Sequence, residues 1–157
     1  MAREHSPALD ATGLRFAVVA SRFNEALVRR MADAAIQVLE SRGAAPDAIE
    51  RFWVPGSFEL PLGARWAADT RRFDAILALG VLIRGETEHF RLVAEAASHG
   101  LQRVALDTGV PVLNGVLATL DAAQAEARSG GRLGNRGAEV ALAAVQMARL
   151  SRDVRSG

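Results

Sequence analysis

Cysteine is absent from this sequence of 157 residues. Disulfides, a thiol nucleophile and a thiolate metal site are thereby excluded. The same absence fits a reducing cytosol, so a cytoplasmic location is expected. An excess of charge of one sign is also missing: 19 basic and 18 acidic side chains leave a formal net charge of +1. No basic run carries interleaved aromatics, so neither nucleic acid nor an acidic surface is expected as a partner. No apolar run reaches the ~18 residues of a membrane helix, and Met1 to Thr12 holds charges and Pro7 but no apolar signal core. No membrane partner is expected. Three scattered histidines without cysteine make a poor zinc pattern, and no metal is expected. There is no internal repeat and no domain linker.

What is present reads as one globular domain: 50% of the residues are hydrophobic and 24% charged. Residues 1–13 look irregular and flexible, and the single domain spans residues 14–157. Strands are expected at Arg15–Ala20, Arg51–Val54, within Phe73–Ile83, and at Pro111–Leu117. Helical faces follow from Ala26 to Gly43, Phe58 to Thr70, Glu88 to Leu106, Asp121 to Arg128 and Asn135 to Leu150. Ser21 or Asn24 could cap the first helix, and Gly100 inside the third suggests close packing, since it costs about 1 kcal/mol relative to Ala. Ser129 to Gly134 is a glycine-rich connection, and a polar tail follows Leu150. This alternation implies an α/β/α sandwich on a mainly parallel sheet. Four strands are few, so the amino-terminal segment is a candidate for another.

Gly80 to Phe90 organises the chain. An apolar strand leads into Arg84-Gly85-Glu86-Thr87 and a helix begins near Glu88. Backbone N–H groups from Gly85 to Glu88 and the Thr87 hydroxyl then sit at a helix N-terminus, where unpaired donors and the helix dipole suit phosphate. His89 follows within reach of whatever that turn holds, as a proton carrier. An ordinary βα turn with a surface histidine fits the same residues. In open α/β sheets ligands bind at the carboxyl ends of strands. The four loops there carry Phe23-Asn24, Gly56-Ser57-Phe58-Glu59, Val81 to His89, and Asn114.

Four blocks in order carry a family resemblance: Ser21-Arg22-Phe23-Asn24-Glu25, Val54-Pro55-Gly56-Ser57-Phe58-Glu59-Leu60-Pro61, Ala78 to Phe90, and Gly134-Asn135-Arg136-Gly137-Ala138-Glu139. The chain resembles the lumazine synthases, and the likeness covers nearly everything after Leu14. It implies a flavodoxin-like three-layer sandwich with a four-stranded parallel sheet, extended by an amino-terminal strand from a neighbouring subunit. It implies condensation of 5-amino-6-(D-ribitylamino)uracil with 3,4-dihydroxy-2-butanone 4-phosphate to 6,7-dimethyl-8-ribityllumazine, phosphate and water. This is the penultimate step of riboflavin biosynthesis, and it takes no cofactor. It also implies a homo-oligomer: pentamers with sites at subunit interfaces, in some members packed into an icosahedral shell, and an association with riboflavin synthase. The short connection Ser129 to Gly134 is like that of the shell formers.

By the same resemblance Phe23 stacks on the pyrimidine, with Asn24 beside it. Gly56, Ser57, Phe58 and Glu59 meet the pyrimidine and its ribityl chain. Val81, Leu82 and Ile83 line the pocket with backbone groups, and Gly85, Glu86 and Thr87 cradle the phosphate. His89 is the catalytic proton carrier. Arg128 of the adjacent subunit pairs with the phosphate, and Arg136 approaches the edge of the site. Bland readings stand beside these: Phe23 as a loop anchor, and Glu59 and Arg128 as complements to helix ends. His99 lies ten residues after His89, off its helix face, and reads as surface or packing. Arg136 stands where the family usually has Lys, which keeps the charge but changes the donor geometry. Asn114 stands where many members have a Phe, which gives up stacking area for hydrogen bonding. A non-catalytic flavin or lumazine binder on the same scaffold, and an unrelated phosphosugar-binding protein, remain alternatives.

Overall fold

Side chains of alternating strand residues point to opposite faces of a sheet. In the computed structural model, which describes residues 1–157, this rule divides the interior into two cores. β1 (Phe16–Ser21) sends Phe16, Val18 and Ala20 to one and Ala17 and Val19 to the other. β3 (Ala75–Ile83) sends Leu77, Leu79 and Val81 to the first and Ile76 and Ala78 to the second. With β2 (Ile49–Val54) and β4 (Val112–Thr119) they form a parallel sheet in the order β2-β1-β3-β4. Helices α1 (Glu25–Ser41) and α5 (Arg136–Ser156) cover one face, and α2 (Leu60–Asp69) and α3 (His89–Thr108) cover the other. The result is a three-layer α/β/α sandwich of flavodoxin-like form. Both central strands are buried on both sides, which is why they read as unbroken apolar runs.

Glycines set how closely the layers approach. A Cβ on Gly100 of α3 would lie 2.7 Å from Cγ of Pro61 at the start of α2, so these helices pack through a position only glycine fits. On the other face, a Cβ on Gly137 would collide with the backbone of Met31, bringing the first turn of α5 against α1.

Helix α4 (Ala122–Arg128) begins as expected at Asp121, whose Oδ1 accepts a 2.8 Å hydrogen bond from the N–H of Gln124. Three features differ from the sequence reading. Asn24 occupies the N-cap position of α1 but in left-handed conformation, φ 58°, and neither it nor Ser21 caps that helix through its side chain. The glycine-rich connection is an antiparallel pair, β5 (Ser129–Gly131) with β6 (Gly134–Asn135), rather than an open loop. Helix α5 continues through the polar tail to Ser156. Arginines from the end of the expected helix into this tail are lateral clasps: Arg149 donates to the Asp10 carbonyl at 2.6 Å, Arg152 to Asp74 at 3.0 Å and Arg155 to the Gly109 carbonyl at 2.9 Å. The amino-terminal 15 residues add no strand to the sheet of their own chain, although Ala11 is buried and donates to the Arg42 carbonyl at 2.8 Å. No helix is long and apolar enough to cross a membrane.

Candidate active site

The carboxyl ends of β1, β2 and β3 deliver their loops to one hollow of about 660 Å³. Phe23 from the first loop and Phe58 from the second stand on it, both nearly two-thirds exposed. Pro55, Gly56, Ser57 and Glu59 continue the second wall, Leu82 forms the floor from β3, and His89 closes the rim from the first turn of α3. Burying large aromatic faces is ordinarily favourable, so two open phenyl rings facing one hollow suit a flat ligand. As an anchor in the core, Phe23 would be buried; it is not.

Of the three strand residues expected to offer backbone groups to the pocket, Leu82 lines the hollow, and the side chains of the other two turn away from it. Val81 is part of the core under α1 and α5, and Ile83 packs on that same core, because the pleat turns both away from Leu82. Val81 contributes its carbonyl, which accepts a 2.8 Å hydrogen bond from the side-chain amide of Asn24. The hydroxyl of Ser57 is buried against Gly80, away from solvent. Ser57 is nonetheless among the residues that line the hollow. The carboxylate of Glu59 makes no hydrogen bond or ion pair within the chain and leans over Gly56, its Oε1 3.3 Å from where a Cβ would sit.

Between β3 and α3 the chain passes through Arg84 to Glu88, all exposed. The N–H groups of Gly85, Glu86, Thr87 and Glu88 donate to no atom of the chain, whereas the next, of His89, bonds the Thr87 hydroxyl at 3.3 Å. Helix α3 has no side-chain cap. A Cβ on Gly85 would meet nothing within 4 Å, and its φ is not in the left-handed region, so the backbone does not demand glycine here. The glycine instead leaves open space beside a row of free donors at the positive end of a helix. That combination has the chemistry an anion requires.

Arg128 and Arg136 are not at this hollow. With Arg132 they line a second one, of about 780 Å³, bounded by the end of β4, α4 and the start of α5. Arg136 donates to Glu139 at 3.2 Å and to the Asn114 carbonyl at 3.3 Å; Arg128 and Arg132 have no partner. Asn114, expected in the loop at the carboxyl end of β4, is instead the third residue of that strand, exposed on its edge, with its Oδ1 accepting from the Val116 N–H at 3.0 Å and its amide reaching Ser98 at 3.4 Å. The single chain thus assembles an aromatic hollow with its adjoining turn, and separately an arginine-lined hollow.

Residues 13–152 match the sequence model of the 6,7-dimethyl-8-ribityllumazine synthase family. The chain belongs to that family. Membership implies lumazine synthase activity, a transferase reaction of riboflavin biosynthesis, acting on small molecules in an oligomeric assembly. Several residues of the two hollows escaped the sequence reading. Leu92 and Val93 line it three and four residues after His89, a helical spacing that was available as a signal. Arg132 sits outside any helix in the arginine hollow, and no periodicity marks it. His99 and His5 are exposed and line neither hollow. No group of three or more histidine and acidic side chains is arranged to hold a metal.

Proposed function

We propose that the chain condenses 5-amino-6-(D-ribitylamino)uracil with 3,4-dihydroxy-2-butanone 4-phosphate, releasing 6,7-dimethyl-8-ribityllumazine, phosphate and water. The observation that carries this reading is the pair of exposed Phe23 and Phe58 faces on the hollow that His89 closes, with the unpaired N–H row of Gly85 to Glu88 immediately before His89 in the chain. A flat heterocycle and a phosphate ester are the ligands such a pair of surfaces suits. Glu59, with its carboxylate free, accepts from ribityl hydroxyls.

The substrate's amine is the nucleophile. All 19 basic side chains are arginine, so no lysine amine competes for the ketone. The new C–N bond forms as the carbonyl oxygen leaves as water. Phosphate then departs by elimination from the chain it terminates, and closure of the second ring expels water again. The protein's part is to hold two reactants in register and move protons, with His89 as the carrier. The free N–H row stabilises the phosphate as it leaves.

Arg128 and Arg136 complete this site in the same proposal only from a neighbouring subunit, since in one chain they line a different hollow. Their separation supports an assembly in which the edge of one protomer faces the cavity of the next. A ring of five, with the amino-terminal segment pairing with a neighbour's sheet edge, satisfies both needs. The tight β5–β6 connection favours packing of such rings into an icosahedral shell that associates with riboflavin synthase. Mass photometry of native protein should find at least pentamers; a stable, active monomer would remove the shared site.

For the activity itself, purified protein is mixed with both substrates without added metal, following lumazine fluorescence and phosphate release. Both signals are expected, in parallel. Equal turnover of the unphosphorylated butanone would contradict the phosphate turn. Tight flavin binding without turnover would make the chain a binder on an enzyme scaffold.

A further inference from the structure

Two side-chain polar atoms in this protein are buried without a hydrogen-bond partner, and they are neighbours: the hydroxyl oxygens of Ser21 and Ser57. Ser21 ends β1 and is fully buried; Ser57 opens the turn that carries Phe58 and Glu59 and is 2% exposed. Both face Gly80 in the middle of β3. A Cβ at Gly80 would collide with the Ser57 oxygen and lie 3.2 Å from that of Ser21 and from Cδ1 of Leu60. Three distant segments therefore converge here, beneath the wall of the aromatic hollow, and Gly80 makes room for them. The apolar neighbour at this point is Leu60, which is fully buried.

A buried hydroxyl with no partner carries the full penalty of its desolvation. Each hydroxyl is at once a donor and an acceptor. Two that flank one point are within reach of each other through a side-chain rotation or a single bridging water. We propose that Ser21 and Ser57 are hydrogen-bonded partners, and that Ser21 is thereby a positioning residue for the turn that presents Phe58 and Glu59 to the pyrimidine. Ser21 itself does not line the hollow; it acts through Ser57. The link explains why Ser57 turns its hydroxyl inward, and it fastens the second wall of the site to the strand that launches Phe23. The reaction role rests on the proposed lumazine synthesis; the pairing does not.

Ser21→Ala, Ser57→Ala and the double variant, each as the native assembly, give two independent readings. Thermal midpoints test the pairing: each single variant falls by about 2–8 °C, and the double falls by clearly less than the sum, because removing both hydroxyls leaves none unpaired. Additive losses would overturn the link. Michaelis constants test the positioning. Ser21→Ala should raise the constant for the pyrimidine roughly three- to tenfold with that for the phosphosugar unmoved. The same change made on top of Ser57→Ala should add nothing. An equal rise in both backgrounds, or in neither, would overturn the positioning role. If the parent protein forms no lumazine, the proposed activity fails, and the thermal cycle still decides the pairing.

Discussion

The side-chain amide of Asn24 donates a 2.8 Å hydrogen bond to the carbonyl of Val81. This bond ties the loop after β1, which carries Phe23, to the end of β3, from which the turn with the unpaired N–H row departs. Asn24 sits at φ 58° to make it, a left-handed conformation that asparagine tolerates better than most residues.

Asn24→Asp keeps the size and the tolerance for that conformation but cannot donate when ionised. It should cost about 1–3 kcal/mol at neutral pH and weaken pyrimidine binding. Chemical denaturation of parent and variant measures the first. No change in stability would mean that the bond contributes nothing net.

His89→Ala should slow turnover while leaving fold and assembly intact, because the side chain is exposed on the rim and no bond of the fold uses it. General acid–base groups contribute about 10²–10⁴-fold, and orientation of the two substrates survives the change, so the low end is expected. Single-turnover fluorescence is the measurement. An unaltered rate would take His89 out of the chemistry.

Arg128→Ala should raise the Michaelis constant for the phosphorylated butanone more than for the pyrimidine, since its guanidinium has no partner within the chain and is free for paired bonds to phosphate. Arg136→Lys should be mild: it retains the charge and weakens only an exposed ion pair with Glu139 and a 3.3 Å bond to the Asn114 carbonyl. The reverse order of damage would exchange their roles.

Hydrogen bonds from Arg29 and then Arg22 hold the Glu25 carboxyl below its usual range. A carboxylate with a lower pKa folded than unfolded adds stability above its unfolded value, about 4.3, and loses it as pH falls through the folded value. Glu25→Gln should therefore be less stable than the parent at pH 7, and the gap should close on acidification below about pH 4. Thermal melts across that range provide the check. A gap independent of pH would assign the effect to packing.

Much of this protein was determined by its sequence alone. The buried runs Phe16–Ala20 and Ala75–Val81 admit only a sheet covered on both faces. Asp121 announced its helix, because capping is a contact over three residues. Gly100 signalled close packing, because its cost in a helix needs a reason. That the loops of Phe23, Phe58 and His89 meet at one edge was legible as well, because parallel strand direction sends every one of them there. Local periodicity and short-range hydrogen bonding suffice for all of these.

Tertiary structure alone decided matters that depend on partners distant in the chain. Asn24 had a helix cap available locally, but Val81, 57 residues away, captured its amide. The tail after Leu150 looked like an ending, yet Arg149, Arg152 and Arg155 find acceptors at Asp10, Asp74 and Gly109, so the helix continues. At Gly85 the backbone has no need for glycine, and the residue leaves space instead. The inward hydroxyl of Ser57 and the separation of Arg128 from the aromatic hollow belong here too. Each depends on which atoms meet when distant segments pack, and no spacing of letters encodes that.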